Sequence, residues 1–174
     1  MRSDTVDAAN QIILATTLTN QAADTTHLPG LLNDIHRNTG RYPKEVSADA
    51  GYYSETNITA IQETGAMALV APGRLKHDEW RSQKAPRGRK PKNLTRRQEM
   101  KRFLSTKVGK AKYSLRQVTA EPVFGQTKFG RGLRQVLHRG LEKNRCFWNF
   151  DAAVHNLLKV LRHARHAIGS PNPA

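Results

Sequence analysis

The order of short apolar segments and helix-like segments in the first 73 residues constrains the fold of this chain more than any other feature. The sequence predicts four strands, at residues 3–7, 11–19, 44–48 and 66–71. Two helices are predicted between them, at residues 24–38 and 55–64. This order of strands and helices is typical of an α/β domain, with a mixed sheet flanked by helices.

Turn and capping residues set the limits of these elements. The first two strands are expected to form a hairpin that turns at residues 8–10. Asp24 and Ser54 are the expected N-caps of the two helices, and Gly40 and Gly65 are expected to end them. The first helix has one apolar face, formed by Leu28, Leu31, Leu32 and Ile35.

The charge is distributed unevenly along the chain. Residues 1–73 hold four Lys/Arg against eight Asp/Glu, whereas residues 74–147 hold twenty-two against five, within a formal net charge of +15. Each cation placed against a phosphate releases a condensed counterion, so this basic block predicts nucleic-acid binding. Its many arginines favour that function over a solvated basic face, because the planar guanidinium suits phosphate.

Composition also predicts how the chain is divided. Residues 74–93 are rich in Arg, Lys, Gly and Pro, and we expect a flexible basic linker there, between a partial α/β core at 1–73 and a helical region at 94–168. Residues 169–174 are expected to be a disordered tail. The last helix carries apolar side chains at helical spacing, which are expected to pack on the sheet: Phe150, Val154, Leu157, Leu158 and Leu161.

Some classes of protein do not fit this sequence. It has no apolar run of about 18 residues, so no membrane-spanning helix is predicted, and its first residues lack the apolar core of a secretory signal. The single cysteine, Cys146, cannot form an internal disulfide, which fits a reducing compartment. We therefore expect a cytoplasmic protein with no membrane partner.

Two carboxylates are candidates for a functional site. Asp49 follows a predicted buried strand, and ligands bind at the carboxyl ends of strands in open α/β sheets. Glu121 lies in the basic block near Tyr113, Arg116 and Lys128, where a carboxylate either holds a cation or pairs with its neighbours. The alternatives are an Asp that opens a turn and a surface Glu neutralised by a nearby cation.

Several strings in this sequence resemble bacterial insertion-sequence transposases with a DDE catalytic domain. In chain order they are TNQAADTTHL, ADAGYYSETN, RRQEMKRFLSTKVGKAKYSLRQ, EPVFGQTK, LHRGLEK and HNLLKVLR. The resemblance covers nearly the whole chain apart from the basic linker. It implies an RNase H-like fold, DNA strand cleavage and transfer, and a nucleoid-associated location in a bacterial cytoplasm.

The resemblance also implies roles for individual residues. Asp49 resembles the second catalytic acid and Glu121 the third, and both would hold Mg²⁺ in a two-metal site. Tyr113, Arg116 and Lys128 resemble the other members of a Tyr-Arg-Glu-Lys signature that holds the transposon-end backbone, although the spacing of Arg116 and Glu121 departs from its commonest form. Further DNA contacts are expected from Arg131 and Arg134.

The first catalytic acid of such transposases lies on a central strand that would precede Ser3. Asp4, Asp7 and Asp24 do not match it, so we expect this acid, its strand and the N-terminal DNA-binding region to be absent, and the chain to be inactive alone. Transposon-end DNA is the expected partner, together with a homodimer mate or the missing N-terminal part. The alternatives are a non-catalytic DNA-binding remnant, which would be indifferent to EDTA, and a small RNA-binding protein.

Overall fold

The chain forms two units in a computed structural model that describes residues 2–20, 26–73, 84–135 and 138–169. Unit 1 comprises Met1–Asn20 and Thr119–Ala174, and unit 2 comprises Gln21–Val118. Residues 74–83 of the predicted linker, residues 170–174 of the predicted tail, and the predicted N-cap Asp24 lie outside the described residues.

Unit 1 begins with an antiparallel hairpin of two strands, β1 (Arg2–Val6) and β2 (Ile13–Leu18). Ser3 lies opposite Thr17 in the ladder. The turn is closed by Asp7, whose carboxylate accepts a hydrogen bond of 2.8 Å from the backbone N–H of Asn10. The predicted hairpin is therefore confirmed.

The C-terminal helix, Leu141–Gly169, packs on β2. Its Ala152 joins Ile13 and Val123 in a small apolar core. The side chain of Asn156 donates to the carbonyl of Ile13 and accepts from its N–H, each at 2.8 Å. The helix thus covers the strand without leaving these backbone groups unpaired, which matters because an unpaired buried polar group is costly.

The face of this helix that packs on the hairpin is not the one the sequence predicted. Its buried residues include Trp148, Asp151, Ala152 and His155. Of the predicted packing residues, Val154 is half-buried and the others, Phe150, Leu157, Leu158 and Leu161, are exposed. The predicted packing was wrong because the buried face of the helix carries polar side chains, such as Asp151 and His155, which form hydrogen bonds with specific partners. The apolar side chains at helical spacing lie on the other face of the helix, which is exposed.

Unit 2 contains the helices α1 (Leu28–Thr39) and α2 (Glu55–Glu63) and the strands β3 (Glu45–Ala48) and β4 (Met67–Val70). The two strands are parallel, with Val46 opposite Ala68, and α2 connects them in the chain. Parallel strands need such a crossover because a short turn reverses the direction of the chain and can join only antiparallel strands. The predicted order of elements is confirmed.

The helix ends in unit 2 follow local signals. Gly40 ends α1 in the left-handed region, at φ 73°, and its N–H donates to the carbonyl of His36. Ser54 caps α2 by accepting from the N–H of Asn57 at 3.0 Å. Among the described residues, α1 begins at Leu28, four positions after the predicted N-cap. Pro29 therefore lies in the first turn, where the backbone N–H has no partner within the helix and its loss costs little.

Two further helices follow, α3 (Arg96–Leu104) and α4 (Lys107–Gly125), and the C-terminal helix is therefore α5. Thr95 and Gln98 form a reciprocal capping box at the start of α3. Pro122 lies inside α4, which continues into a π-helical turn at Gln126–Gly130.

Each unit therefore has helices around a small sheet, antiparallel in unit 1 and parallel in unit 2. The α/β class is confirmed at this level. Within the described residues there are two two-stranded sheets where one mixed sheet was predicted, and the RNase H-like topology stays a prediction.

Candidate active site

Asp49 lies directly after β3, at the carboxyl end of a parallel strand. Its carboxylate Oδ1 accepts from the N–H of Ala50 at 3.0 Å, and its backbone carbonyl accepts from the N–H of Tyr52 at 3.0 Å. The residue therefore opens a short 3-10 turn, Ala50–Tyr52. Its side chain is 65% exposed, so the carboxylate remains accessible to a ligand.

Arg116 of α4 brings two of the other predicted site residues together in unit 2. One of its guanidinium nitrogens lies 3.7 Å from Oδ2 of Asp49. The guanidinium carbon lies 5.5 Å from the centre of the Tyr113 ring, which is the geometry of a cation–π contact. Asp49 thus forms one cluster with Tyr113 and Arg116, which lie 64 and 67 positions later in the sequence.

Tyr113 is anchored in this cluster by packing. Its ring contacts an apolar cluster that contains Leu69, Ala71 and Leu104. Burial is the main cause that raises the pKa of Tyr113, the charge of Asp49 raises it further, and Arg116 acts in the opposite direction. The hydroxyl is therefore protonated at neutral pH and remains a hydrogen-bond donor.

A second ion pair in unit 2 was not predicted from the sequence. Lys112, one position before Tyr113, bonds the carboxylate of Glu45 at the start of β3. Together with the Arg116–Asp49 pair, it links α4 to both ends of the same short strand. The sequence offered no signal for it, because the two residues are 67 positions apart.

Glu121 and Lys128 belong to unit 1, and both side chains are exposed. Glu121 lies on the last part of α4, two positions before the buried Val123. The Lys128 ammonium lies 6.0 Å from the centre of the Phe124 ring. Glu121 and Lys128 are thus presented to solvent, where a charged ligand can reach them.

The two additional predicted DNA contacts differ in their surroundings. The Nε of Arg131 donates to Asp151 at 2.6 Å, and another guanidinium nitrogen donates to the hydroxyl of Thr127 at 2.7 Å. Arg134 is exposed, and its guanidinium carbon lies 4.5 Å from the centre of the Phe129 ring. Arg131 therefore has a structural partner, whereas the guanidinium of Arg134 contacts an exposed ring and is in no ion pair with any described residue.

The acids near the start of the sequence are engaged in the hairpin. The carboxylate of Asp4 accepts from the hydroxyl of Thr16 across the ladder at 2.6 Å. Asp7 holds the turn through Asn10. Both acids thus stabilise the hairpin locally.

A family model described as the transposase DDE domain matches residues 5–157, which is most of the chain. The chain belongs to the DDE transposase family. Its function class is therefore DNA transposition, and its relatives are enzymes that cleave and transfer DNA strands. No curated protein and no solved structure gives a significant match.

DDE transposases generally use divalent metal ions held by carboxylates. Within the described parts of this transposase domain, no group of three or more His, Cys, Asp or Glu side chains is arranged to hold an ion. Asp49 instead faces the guanidinium of Arg116. The described residues therefore do not complete a metal site.

No helix among the described residues has the length and apolarity needed to cross a bilayer.

Proposed function

We propose that this chain carries two of the three acids of a transposase active site, Asp49 as the second and Glu121 as the third, on an RNase H-like framework. The first acid of such a site has no match among Asp4, Asp7 and Asp24. The metal of the complete site is Mg²⁺, which prefers hard oxygen ligands such as carboxylates. The chain alone is inactive, because two acids bind such an ion weakly.

The cluster of Asp49, Arg116 and Tyr113 is the observation that carries this proposal. A predicted catalytic acid at the end of β3 lies 3.7 Å from a predicted DNA-binding arginine. That arginine stacks on the third residue, a predicted DNA-binding tyrosine, at 5.5 Å. A phosphate that approached Asp49 would meet a guanidinium and a phenol, which are suitable hydrogen-bond donors for it.

The exposed cations supply the rest of the DNA contact. Lys128 and Arg134 are exposed in the basic block, and neither is in an ion pair among the described residues. Arg131, which lies between them in sequence, adds a third positive charge, although its guanidinium also binds Asp151. Transposon-end DNA is the proposed partner, with a location in the bacterial cytoplasm at the nucleoid.

DNA binding is tested by fluorescence anisotropy with a labelled duplex over a range of salt concentrations. Lys128→Ala and Arg134→Ala should each weaken binding and lower the salt slope by about 1, because each removes one phosphate contact. Arg41→Ala is the matched control, since Arg41 is an exposed cation outside the basic block and, like the other two, is in no ion pair among the described residues. Equal effects of all three variants would show binding by net charge alone and contradict these contacts.

Catalysis is tested separately on supercoiled DNA with Mg²⁺ or Mn²⁺. We expect DNA binding that persists in EDTA and no metal-dependent nicking by the chain alone. Metal-dependent nicking that Asp49→Ala abolishes would contradict the proposed inactivity while supporting the role of Asp49. A non-catalytic DNA-binding remnant is the second candidate function, favoured by the pairing of Asp49 with Arg116 rather than with further acids.

A further inference from the structure

A short basic segment precedes α3 in unit 2 and is distinct from the residues proposed above to bind DNA. Residues 86–91, PRGRKP, form neither helix nor strand, and all of them are exposed except Pro86, which is half-buried. They are called the basic loop below. The loop lies in a strongly positive part of the chain, because residues 84–104 hold nine Lys/Arg and one acid, Glu99.

Two contacts join the basic loop to α3. A guanidinium nitrogen of Arg102 donates to the carbonyl of Gly88 at 2.8 Å, and the ammonium of Lys90 lies 2.5 Å from the carboxylate of Glu99. Glu99 and Arg102 are three positions apart on a helix, so they share one face of α3. The helix therefore positions the loop at two of its residues.

The two arginines of the loop alternate with these two anchored residues. Arg87 and Arg89 are exposed, and neither is in an ion pair among the described residues. Lys90, in contrast, is paired with Glu99. Two positions of backbone span at most about 7 Å, which equals roughly two steps of about 3.4 Å along a DNA strand. The loop thus offers two guanidinium groups at a spacing that fits neighbouring base pairs.

The backbone of the basic loop is narrow. Pro86 and Pro91 fix their own φ at about −65° and have no N–H, which favours an extended chain at both ends of the loop. Gly88 lies between the arginines, and no atom is found within 4 Å of the position that a Cβ would take there. Its φ of 83° is a conformation that glycine adopts at little cost. The middle of the loop can therefore approach a surface closely, with an arginine on each side.

These dimensions fit the minor groove of DNA better than the major groove. The major groove is about 12 Å wide and takes a helix, whereas the minor groove is about 6 Å wide, which suits a single extended segment. The minor groove of A-tracts is narrower and has an enhanced negative potential that attracts arginine. A G·C pair, in contrast, places the N2 amino group of guanine in that groove. Contacts to phosphate alone would not distinguish these base compositions.

We propose that the basic loop binds the minor groove of A·T-rich duplex DNA, with the guanidinium groups of Arg87 and Arg89 in the groove. The proposal rests on the DNA binding proposed above and adds a preference for base composition to it. The loop belongs to unit 2, whereas Lys128 and Arg134 belong to unit 1.

The test compares three labelled duplexes of equal length, with central tracts of A·T, G·C or inosine·C, by fluorescence anisotropy with the full chain. Inosine lacks the N2 amino group of guanosine, so an inosine·C tract resembles A·T in the minor groove and G·C in the major groove. We expect the A·T and inosine·C duplexes to bind at least about fivefold more tightly than the G·C duplex, roughly the effect of one unfavourable base pair. Equal binding of the inosine·C and G·C duplexes would overturn the assignment to the minor groove.

The double variant Arg87→Ala, Arg89→Ala should abolish this preference and weaken binding to all three duplexes. The matched control is Lys84→Ala, Lys92→Ala, which removes two exposed positive charges just outside the loop. Both double variants should lower the salt slope by up to about 2, because each removes two cations. The control should keep the fivefold preference. A preference that the arginine variant retains, or that both variants lose equally, would overturn the proposal.

Gly88→Ala separates groove binding from net charge because it changes no charge. The added methyl group and the strain at φ 83° should reduce the A·T preference at least about twofold. Gly30→Ala, which adds the same group at an open, exposed position of α1, should leave it unchanged. An unchanged preference in Gly88→Ala would contradict the close approach of the loop backbone to the groove.

The failure of this site is distinguishable from the failure of the proposed function. Equal, salt-dependent binding to all three duplexes would overturn the minor-groove site and leave the proposed DNA binding standing. No binding to any duplex would contradict both. Circular dichroism of each variant checks that the chain remains folded.

Discussion

The guanidinium of Arg116 lies 3.7 Å from the carboxylate of Asp49, so a predicted DNA-binding residue neutralises a predicted catalytic acid. The Asp49 side chain is 65% exposed. Exposed ion pairs contribute about 0.2–1 kcal/mol, because water screens the charges and side-chain entropy is lost. Such a pair separates readily, which leaves both groups available to an incoming phosphate or cation.

The first prediction concerns the pKa of Tyr113 in this cluster. Arg116→Gln should raise that pKa, because it removes the neighbouring positive charge that favours the phenolate. Asp49→Asn should lower it, because the Asp49 charge opposes ionisation. The measurement is an alkaline titration of phenolate absorbance, with Tyr113→Phe identifying the contribution of this residue among the four tyrosines. Shifts of the same sign in the two variants would contradict the geometry of the cluster.

The second prediction concerns the junction of α3 and α4. A Cβ at Gly109 would overlap the backbone carbonyl of Phe103, so Gly109→Ala should destabilise unit 2 by about 1–3 kcal/mol, as overpacking does. Gly125→Ala is the matched control, because no atom lies near a Cβ there and the residue is helical, with φ −60°. That control should add about 0.5–1 kcal/mol of stability. Thermal unfolding measures both, and equal effects would show that the close approach at Gly109 is absent.

Local signals predicted the parts of the fold that depend on neighbouring residues. Gly40 and Ser54 were predicted from the conformations and hydrogen bonds that helix ends require, and both are confirmed. The apolar face of α1 was predicted from its period, because its buried residues are all leucine or isoleucine. These features need no information about distant parts of the chain.

The features of the fold and of the candidate site that were not predicted depend on partners that are distant in sequence. The buried face of α5 carries His155 and Asp151, and Asn156 beside them bonds Ile13 at a separation of 143 positions. A hydrophobic period cannot reveal a polar face that is satisfied in this way. The candidate residues Asp49 and Arg116 were each predicted, but their ion pair depends on how α4 packs in unit 2.

The third prediction separates the two roles of arginine near the π-helical turn. Arg131→Ala leaves the carboxylate of Asp151, which is 3% exposed, without its guanidinium partner. Removing one partner of this part-buried pair costs about 1–3 kcal/mol, so unit 1 should lose stability as well as DNA affinity. Arg134→Ala removes an exposed side chain, and its effect on stability should stay within about 0.5 kcal/mol. Urea unfolding and anisotropy measure the two quantities, and equal stability losses would contradict the structural role of Arg131.

The fourth prediction concerns the pH dependence of unit 1. His155 is buried, and its Nε2 lies 2.9 Å from the carbonyl oxygen of Gln11. Burial is the main cause that lowers the pKa of His155 below its ordinary value of 6.5, and the charges of Arg131 and Lys159 lower it further. The folded state therefore binds the proton less readily than the unfolded state does.

The stability that His155 contributes should be fully present above pH 6.5, its unfolded pKa, and should be lost as the pH falls through the lower folded value. Native-state hydrogen exchange of the β2 amides, corrected for the intrinsic effect of pH, measures the free energy of opening at each pH. In wild type, the free energy of opening should fall between neutral and acidic pH. In His155→Gln this fall should be smaller, because glutamine does not titrate. The glutamine amide can still donate a hydrogen bond to the carbonyl of Gln11. His163→Gln, at an exposed position of α5, is the control. A wild-type pH dependence retained in His155→Gln would mean that another group causes it.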